Sequence, residues 1–233
     1  EWIGALVVAQ EKENIPKLES IYQNGKENGV PGLEIVKGED LFNLEPNLNP
    51  NSVAALYAPT SGIVNPFELT VALANNAAEN GAEVLREAEV FDIEDHNNYK
   101  VVDTAQGKIK TKLVINAAGR YSDKIAKMVG IDKFKITPRR GEYYVYDKRL
   151  DINVNHTLFP VPTPVTKGIV VTPTDEGNLL IGPNAEELDD KENVSTTRQG
   201  LDKVFNGALK TPPNLTKEGV IKEFAGLRPA IKE

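Results

Sequence analysis

Three groups of residues carry the chemistry this sequence offers. Lys112-Leu113-Val114-Ile115-Asn116-Ala117-Ala118-Gly119 leads from an apolar, strand-like stretch through small residues to a helix start at Ser122-Asp123. Such a turn lets a ligand come close to the backbone. Pro138-Arg139-Arg140-Gly141-Glu142-Tyr143-Tyr144 heads a tyrosine-rich strand. A guanidinium there offers a fork of donors to a carboxylate or phosphate. The third group is scattered. His156 is one of two histidines and is the obvious physiological base; Arg228, held between Leu227 and Pro229, suits an anion. Each group also has a plainer reading. The small residues can simply turn the chain, the arginine pair can be solvated, and Arg228 can be structural. Tyr143 and Tyr144 point to opposite faces of a strand, so one belongs to the core and the other can line a pocket. His96 falls in a turn and is read as inert.

Composition narrows the chemistry. Lysine and arginine total 27 against 34 acidic residues, a net charge of −7, which argues against a general nucleic-acid binder. The absence of cysteine removes disulfides, thiolate catalysis and cysteine-held metal, and two histidines leave little for a metal site. Phosphate-cradling glycine loops, a G-x-S-x-G elbow and H-E-x-x-H are absent. No apolar run approaches the roughly 20 residues that span a bilayer. The residues alone show no complete catalytic apparatus. Strand-like segments stand at both ends, Trp2 to Ala9 and just before Gly226-Leu227-Arg228-Pro229, so the chain is read as a piece of a longer protein.

The elements that must position these residues alternate between strand and helix. Gly4 to Ala9 reads as a strand, and Asn14-Ile15-Pro16 opens a helix closed by Gly29. Strands at Leu33–Val36 and Val53–Ala58 precede a helix from Phe67 to about Asn80, stopped by Gly81. Short strands are expected at Glu83–Leu85 and Glu89–Ile93, a hairpin at His96-Asn97-Asn98, and a longer strand from Lys108 to Ile115 that ends apolar and buried. A helix over Ser122–Val129 leads to the arginine–tyrosine strand, Lys135–Asp147. A β-meander follows from His156 to Ile181. Ser195-Thr196-Thr197 caps a helix running to about Leu209, and Val220–Leu227 is a last strand. The class is α+β (α/β).

Five short motifs, taken together and in order, resemble the FAD-dependent oxidoreductases of the D-amino-acid oxidase superfamily over the whole chain. They are Ser61-Gly62-Ile63-Val64-Asn65-Pro66, Val114-Ile115-Asn116-Ala117-Ala118-Gly119, Arg140-Gly141-Glu142-Tyr143-Tyr144, Ile181-Gly182-Pro183-Asn184-Ala185 and Phe224-Ala225-Gly226-Leu227-Arg228-Pro229. The branch of glycerol-3-phosphate dehydrogenases and L-2-hydroxyglutarate oxidases looks nearest. The resemblance implies a substrate-binding domain on a mixed or antiparallel sheet (residues 1–60 and 135–227), part of a Rossmann-like FAD domain (61–134), and the start of a return to it (228–233). It implies hydride transfer to flavin from a small anionic secondary alcohol, the alternatives being amine or amino-acid oxidation and a non-catalytic anion-binding module. By resemblance Val90, Ala118 and Gly119 lie against the cofactor, and Arg228 holds the substrate's anionic group; Arg140 and Tyr144 are substrate-binding candidates from residue type and strand position alone. Tyr143 stands where glycerol-3-phosphate dehydrogenases carry histidine, leaving His156 as the candidate base. FAD is expected in the full-length protein and not in this stretch alone, whose pyrophosphate site would lie upstream. The partners expected are a small anionic substrate and an electron acceptor that the sequence does not identify. No nucleic acid is expected, and peripheral membrane contact is expected only of the full-length protein. A cytoplasmic location is expected.

Overall fold

The computed structural model describes residues 1–150, 152–163 and 168–231. They fall into two compact units that interleave along the chain. Unit 1 comprises Glu1–Pro66, Gly141–Ala185 and Val194–Gly226, and unit 2 Phe67–Arg140, Glu186–Asn193 and the residues from Leu227 on.

Unit 1 is a mixed sheet with helices on both faces. Its strands are β1 (Ala5–Ala9), β2 (Glu34–Lys37), β3 (Ala54–Ala58), β8 (Thr157–Pro160), β9 (Val170–Pro173), β10 (Leu179–Gly182) and the later part of β7 (Ile136–Tyr146), in the order β7-β10-β9-β8-β1-β3-β2. β12 (Val220–Ile231) also pairs with β7. β1 is apolar throughout because it is central, antiparallel to β3 and parallel to β8, with side chains buried on both faces. On one face, α1 (Ile15–Glu27) lays Leu18 on Ala9, Ala54 and Leu56. On the other, α5 (Arg198–Ala208) lays Leu201, Val204 and Ala208 over Tyr144, Leu158, Val171 and Ile181. That spacing is the apolar stripe of a helix on a sheet. α2 (Gly38–Leu44) adds Leu41 to the same core.

Unit 2 holds an antiparallel meander of β4 (Val90–His96), β5 (Tyr99–Thr104) and β6 (Gly107–Thr111), with α4 (Ser122–Met128) beside β4. The helix is anchored by Asp123, 6% exposed, whose carboxylate accepts from the Ile136 amide at 3.0 Å and from Lys191 Nζ at 2.6 Å. Burial alone would raise the Asp123 pKa; Lys191 and the amides of Ile136 and Lys124 overcome it and hold the pKa low. β11 (Glu186–Glu187) pairs with the start of β7, setting Glu186 opposite Arg140 and Glu187 opposite Arg139, an opposite-charge ladder.

The structure departs from expectation in three places. The strand expected to reach Ile115 stops at Thr111, and Leu113 and Ile115 are 70% and 83% exposed. Glu83–Leu85 forms no strand. β12 continues to Ile231 rather than ending at Leu227. The first two share a cause: apolar residues become a strand only where a neighbour supplies hydrogen bonds and cover, and the described residues of unit 2 place none there. α3 (Pro66–Glu79) is the extreme case, apolar on average yet with no buried residue. Among the described residues no helix is long and apolar enough to cross a membrane.

An apolar helix without cover favours association. Residues 1–233 should therefore self-associate with rising concentration, and Leu73→Glu with Ile115→Glu should weaken that association by a factor of about ten. Sedimentation velocity over a concentration series reads this; an unchanged monomer content in the double variant would count against it.

Candidate active site

β7 organises the site because its alternate residues serve different surroundings. Arg140, Glu142, Tyr144 and Tyr146 are buried. Arg139, Tyr143 and Val145 are half-buried.

Glu142 is completely buried. One carboxylate oxygen, Oε1, accepts from the Thr197 amide and from Thr197 Oγ1 at 3.0 Å. The other, Oε2, accepts from Asn184 Nδ2 at 2.5 Å, and Asn184 Oδ1 accepts from the Glu142 amide at 2.8 Å. Thr197 is also the N-cap of α5, its Oγ1 accepting from the Gly200 amide at 3.0 Å. The strand carboxylate thus sits at the positive end of α5, where negative charge is favoured. Gly200 is required there, since a Cβ would fall 1.4 Å from Glu142 Oε2. Gly141 is required for the same close approach, its Cβ position lying 2.5 Å from Pro183. Two motifs that look separate in sequence, Arg140 to Tyr144 and Gly182 to Ala185, therefore meet.

On the opposite side of β7, the Tyr143 ring stacks on Phe224 with centroids 4.8 Å apart and planes 7° apart. Its neighbours on that side of the sheet follow from register: Val145, Leu180 and Thr172 lie across adjacent strands, and Thr172 Oγ1 meets Thr157 Oγ1 at 2.8 Å. α1 packs at the β1–β3 end of the same side, while Tyr143, Val145, Leu180 and Thr172 stay half-buried.

The other sequence candidates separate. Tyr144 is 5% exposed and packs under α5, so the two tyrosines face apart as a strand demands. Arg140 is 4% exposed and meets Glu186 Oε2 at 2.6 Å; its anion is a residue of its own unit. Arg228 is exposed on β12, with no ion-pair partner among the described residues. His156 is 8% exposed. It lies edge-on to Tyr57, ring centroids 5.5 Å apart, with Nδ1 3.4 Å from Glu45 Oε2. His156 is thus enclosed by residues of unit 1. Val90 opens β4, half-buried. Ala118 and Gly119 are exposed. Asn116 closes their turn, donating to Ser122 O at 2.9 Å and accepting from the Ala118 amide at 3.3 Å.

Likeness to known proteins places the chain in a family. The family described as FAD dependent oxidoreductase matches residues 1–233. The chain belongs to that family. It is 43% identical over 227 residues to a glycerol 3-phosphate dehydrogenase of Caloramator mitchellensis, covering 97% of this chain and 47% of that protein. It is 34% identical over 197 residues to the mitochondrial L-2-hydroxyglutarate dehydrogenase of Mus musculus, covering 78% and 42%. The structure of L-alpha-glycerophosphate oxidase from Mycoplasma pneumoniae with FAD bound superposes with a TM-score of 0.90 at 30% identity, over 98% of this chain and 62% of that one. The chain thus spans about half the length of the curated relatives it matches. The family's cofactor fits what unit 2 presents. Gly119 adopts φ +55° with nothing within 4 Å of its Cβ position, so backbone at Ala118–Gly119 is open to close approach by a flat ligand.

Sequence reasoning singled out Tyr143, Arg228 and the Ala118–Gly119 turn and gave no role to Glu142, Asn184, Thr197 as its partner, or Glu45. A charged residue inside an otherwise buried strand was the available signal for Glu142. Glu45 had none, since it sits at a helix end where acidic residues are ordinary.

Two predictions rest on these carboxylates. Glu142→Ala would strand the Thr197 amide and Asn184, and should cost about 3 kcal/mol in denaturant unfolding; a loss under about 1 kcal/mol would show the capping contact to be incidental. Glu45 is fully buried; burial raises its pKa, opposed by the Asn155 amide, at 2.6 Å, and by His156. A carboxyl raised in the folded state contributes stability that is complete below its unfolded value, about 4.3, and is lost as pH rises through the folded value. Glu45→Gln should therefore gain stability relative to the parent as pH rises from 5 to 9, read as thermal midpoints of both proteins. A difference constant with pH would contradict the assignment.

Proposed function

We propose that the longer protein containing this chain is an FAD-dependent dehydrogenase or oxidase of a small anionic secondary alcohol, glycerol 3-phosphate or an L-2-hydroxy acid such as 2-hydroxyglutarate. The likeness to the glycerol 3-phosphate dehydrogenase, 43% identical over 97% of this chain, carries this reading, and the likeness to the 2-hydroxyglutarate enzyme keeps the second substrate class beside it. Both relatives are named for substrates with a hydroxyl group and an anionic group.

The residues divide the work in this reading. Arg228, exposed and without an ion-pair partner among the described residues, supplies the cation for the substrate's anionic group. Tyr143, set rigidly by its stack on Phe224, forms a wall against which the carbon skeleton is oriented. Val90, Ala118 and Gly119 would hold FAD, which when bound supplies the acceptor for hydride; the protein contributes binding and orientation. The absence of cysteine goes with a cytoplasmic site of action, where no disulfide is needed.

The full-length protein, reconstituted with FAD, should reduce its flavin with glycerol 3-phosphate or L-2-hydroxyglutarate and not with glycine or proline. Arg228→Met should raise KM for the accepted substrate by about 100-fold with a smaller effect on kcat. Flavin bleaching by the amines alone would overturn the reading, and an unchanged KM would remove Arg228 from it.

A further inference from the structure

The side of the unit 1 sheet that carries Tyr143 also bears a pair of hydroxyls with no part in the division of work above. A row of side chains crosses four strands there: Val145 on β7, Leu180 on β10, Thr172 on β9 and Thr157 on β8. The first two are apolar and half-buried, and α1 covers only the β1–β3 end of this side. The two threonines meet oxygen to oxygen, Oγ1 to Oγ1, at 2.8 Å. Thr172 is half-buried and Thr157 is 8% exposed. Thr172 is therefore the member within reach of a small molecule on this face.

The hydrogens of the pair are both committed. A hydroxyl has one hydrogen and two lone pairs. Thr172 Oγ1 donates to Pro173 O at 3.1 Å, so the hydrogen between the two hydroxyls is Thr157's. Thr172 Oγ1 thus donates once, accepts once and keeps one lone pair. Among the described residues nothing else donates to that lone pair. The position accepts and does not donate. Beside the apolar Val145 and Leu180, an alcohol O–H satisfies it. A carbonyl oxygen would give up its water and meet only a lone pair. Tyr143 stands two strands and one row away, roughly 12 Å along the sheet. Its ring lies over Gly182 on the strand between, where a Cβ would fall 2.6 Å from Tyr143 Cδ1. A molecule the length of glycerol 3-phosphate or 2-hydroxyglutarate spans the part of the gap that the ring leaves open.

We propose that Thr172 accepts the hydrogen bond of the substrate's secondary hydroxyl, with Thr157 fixing the direction of its lone pair. The pair thereby distinguishes the alcohol from the ketone or keto acid that oxidation makes of it. This inference rests on the hydroxyl-oxidising reading above and names the residue that recognises the hydroxyl.

Anaerobic stopped-flow reduction of the full-length FAD protein tests it, with glycerol 3-phosphate and L-2-hydroxyglutarate as substrates. Thr172→Val keeps the shape of the side chain and removes the oxygen. The apparent Kd of the reducing alcohol should rise about tenfold in this variant, and the limiting rate of flavin reduction should fall. The inhibition constant of the matching analogue without the secondary hydroxyl, 3-hydroxypropyl phosphate or glutarate, should change by less than about twofold. Thr172→Ser, which keeps the hydroxyl, should restore the Kd of the parent. Thermal midpoints report folding, and Thr172→Ala is read in the same way if valine impairs it. Equal weakening of alcohol and analogue would show a purely structural role and overturn the inference, as would an unchanged Kd for the alcohol. A parent flavin reduced by neither alcohol would sink the oxidoreductase reading itself, and the inference with it.

Discussion

A buried carboxylate is affordable only where its charge is fully answered, and Glu142 shows how much structure that requirement dictates. Removing an ionised carboxylate from water costs several kcal/mol before any partner is counted. Here the answer is an N-cap residue giving both its amide and its hydroxyl, an asparagine amide, and the positive end of a helix. Each partner adds a constraint of its own. Thr197 must cap α5, Asn184 must follow β10 at a fixed place, and Gly200 must be bare of side chain. The apolar stripe of Leu201, Val204 and Ala208 then falls on the sheet with no further freedom. One polar contact fixes the position, and the apolar contacts around it supply most of the stabilisation, about 1.5–3 kcal/mol for each fully buried large aliphatic.

Because β7 alternates, fixing one of its sides fixes the other. Tyr144 and Tyr146 are locked under α5, so Tyr143 must project away from it and meet Phe224. Tyr143 is held by packing on Phe224 and by the neighbours that fix β7. His156 makes the same point in reverse. Its side chain has the right functional group for a base, but it is spent on Glu45 and Tyr57 within the core. Burial of Glu45 beside it raises that carboxyl's pKa.

The strands and helices of unit 1 were legible in the sequence because their periodicity is complete within the chain. β1 is continuous valine and alanine, and α5 carries a cap, a stripe and polar flanks. The reading failed at Leu113–Ile115 and Glu83–Leu85, where apolar residues lack a neighbour among the described residues of unit 2. The rule that apolar residues form buried strands carries a hidden condition, that a partner strand be present. The interleaving expected above came from the resemblance alone and was not legible in composition. Nothing in the composition changes at Pro66, Arg140 or Ala185, since both units use the same mixture of residues and differ only in which contacts they make over long sequence separation.

For the site, residue type was a good guide to surroundings and a poor guide to role. The motif around Arg140–Tyr144 drew attention through its arginines, which suggested an anion clamp; yet Arg140 is committed to Glu186 and the residue that matters most for architecture is Glu142. The paired motif Gly182–Ala185 marks the family in sequence for the same reason: Asn184 is the second half of the Glu142 contact. Motifs that identify a fold are often the places where backbone meets backbone too closely, or charge is buried too deeply, for any other residue to serve. Chemistry then falls to positions beside them. In this chain the residues proposed for that part are Tyr143, one residue from the buried carboxylate, and Arg228, exposed on β12. The chain is similar both to an enzyme named for glycerol 3-phosphate and to one named for L-2-hydroxyglutarate, and neither position takes part in the Glu142 contact.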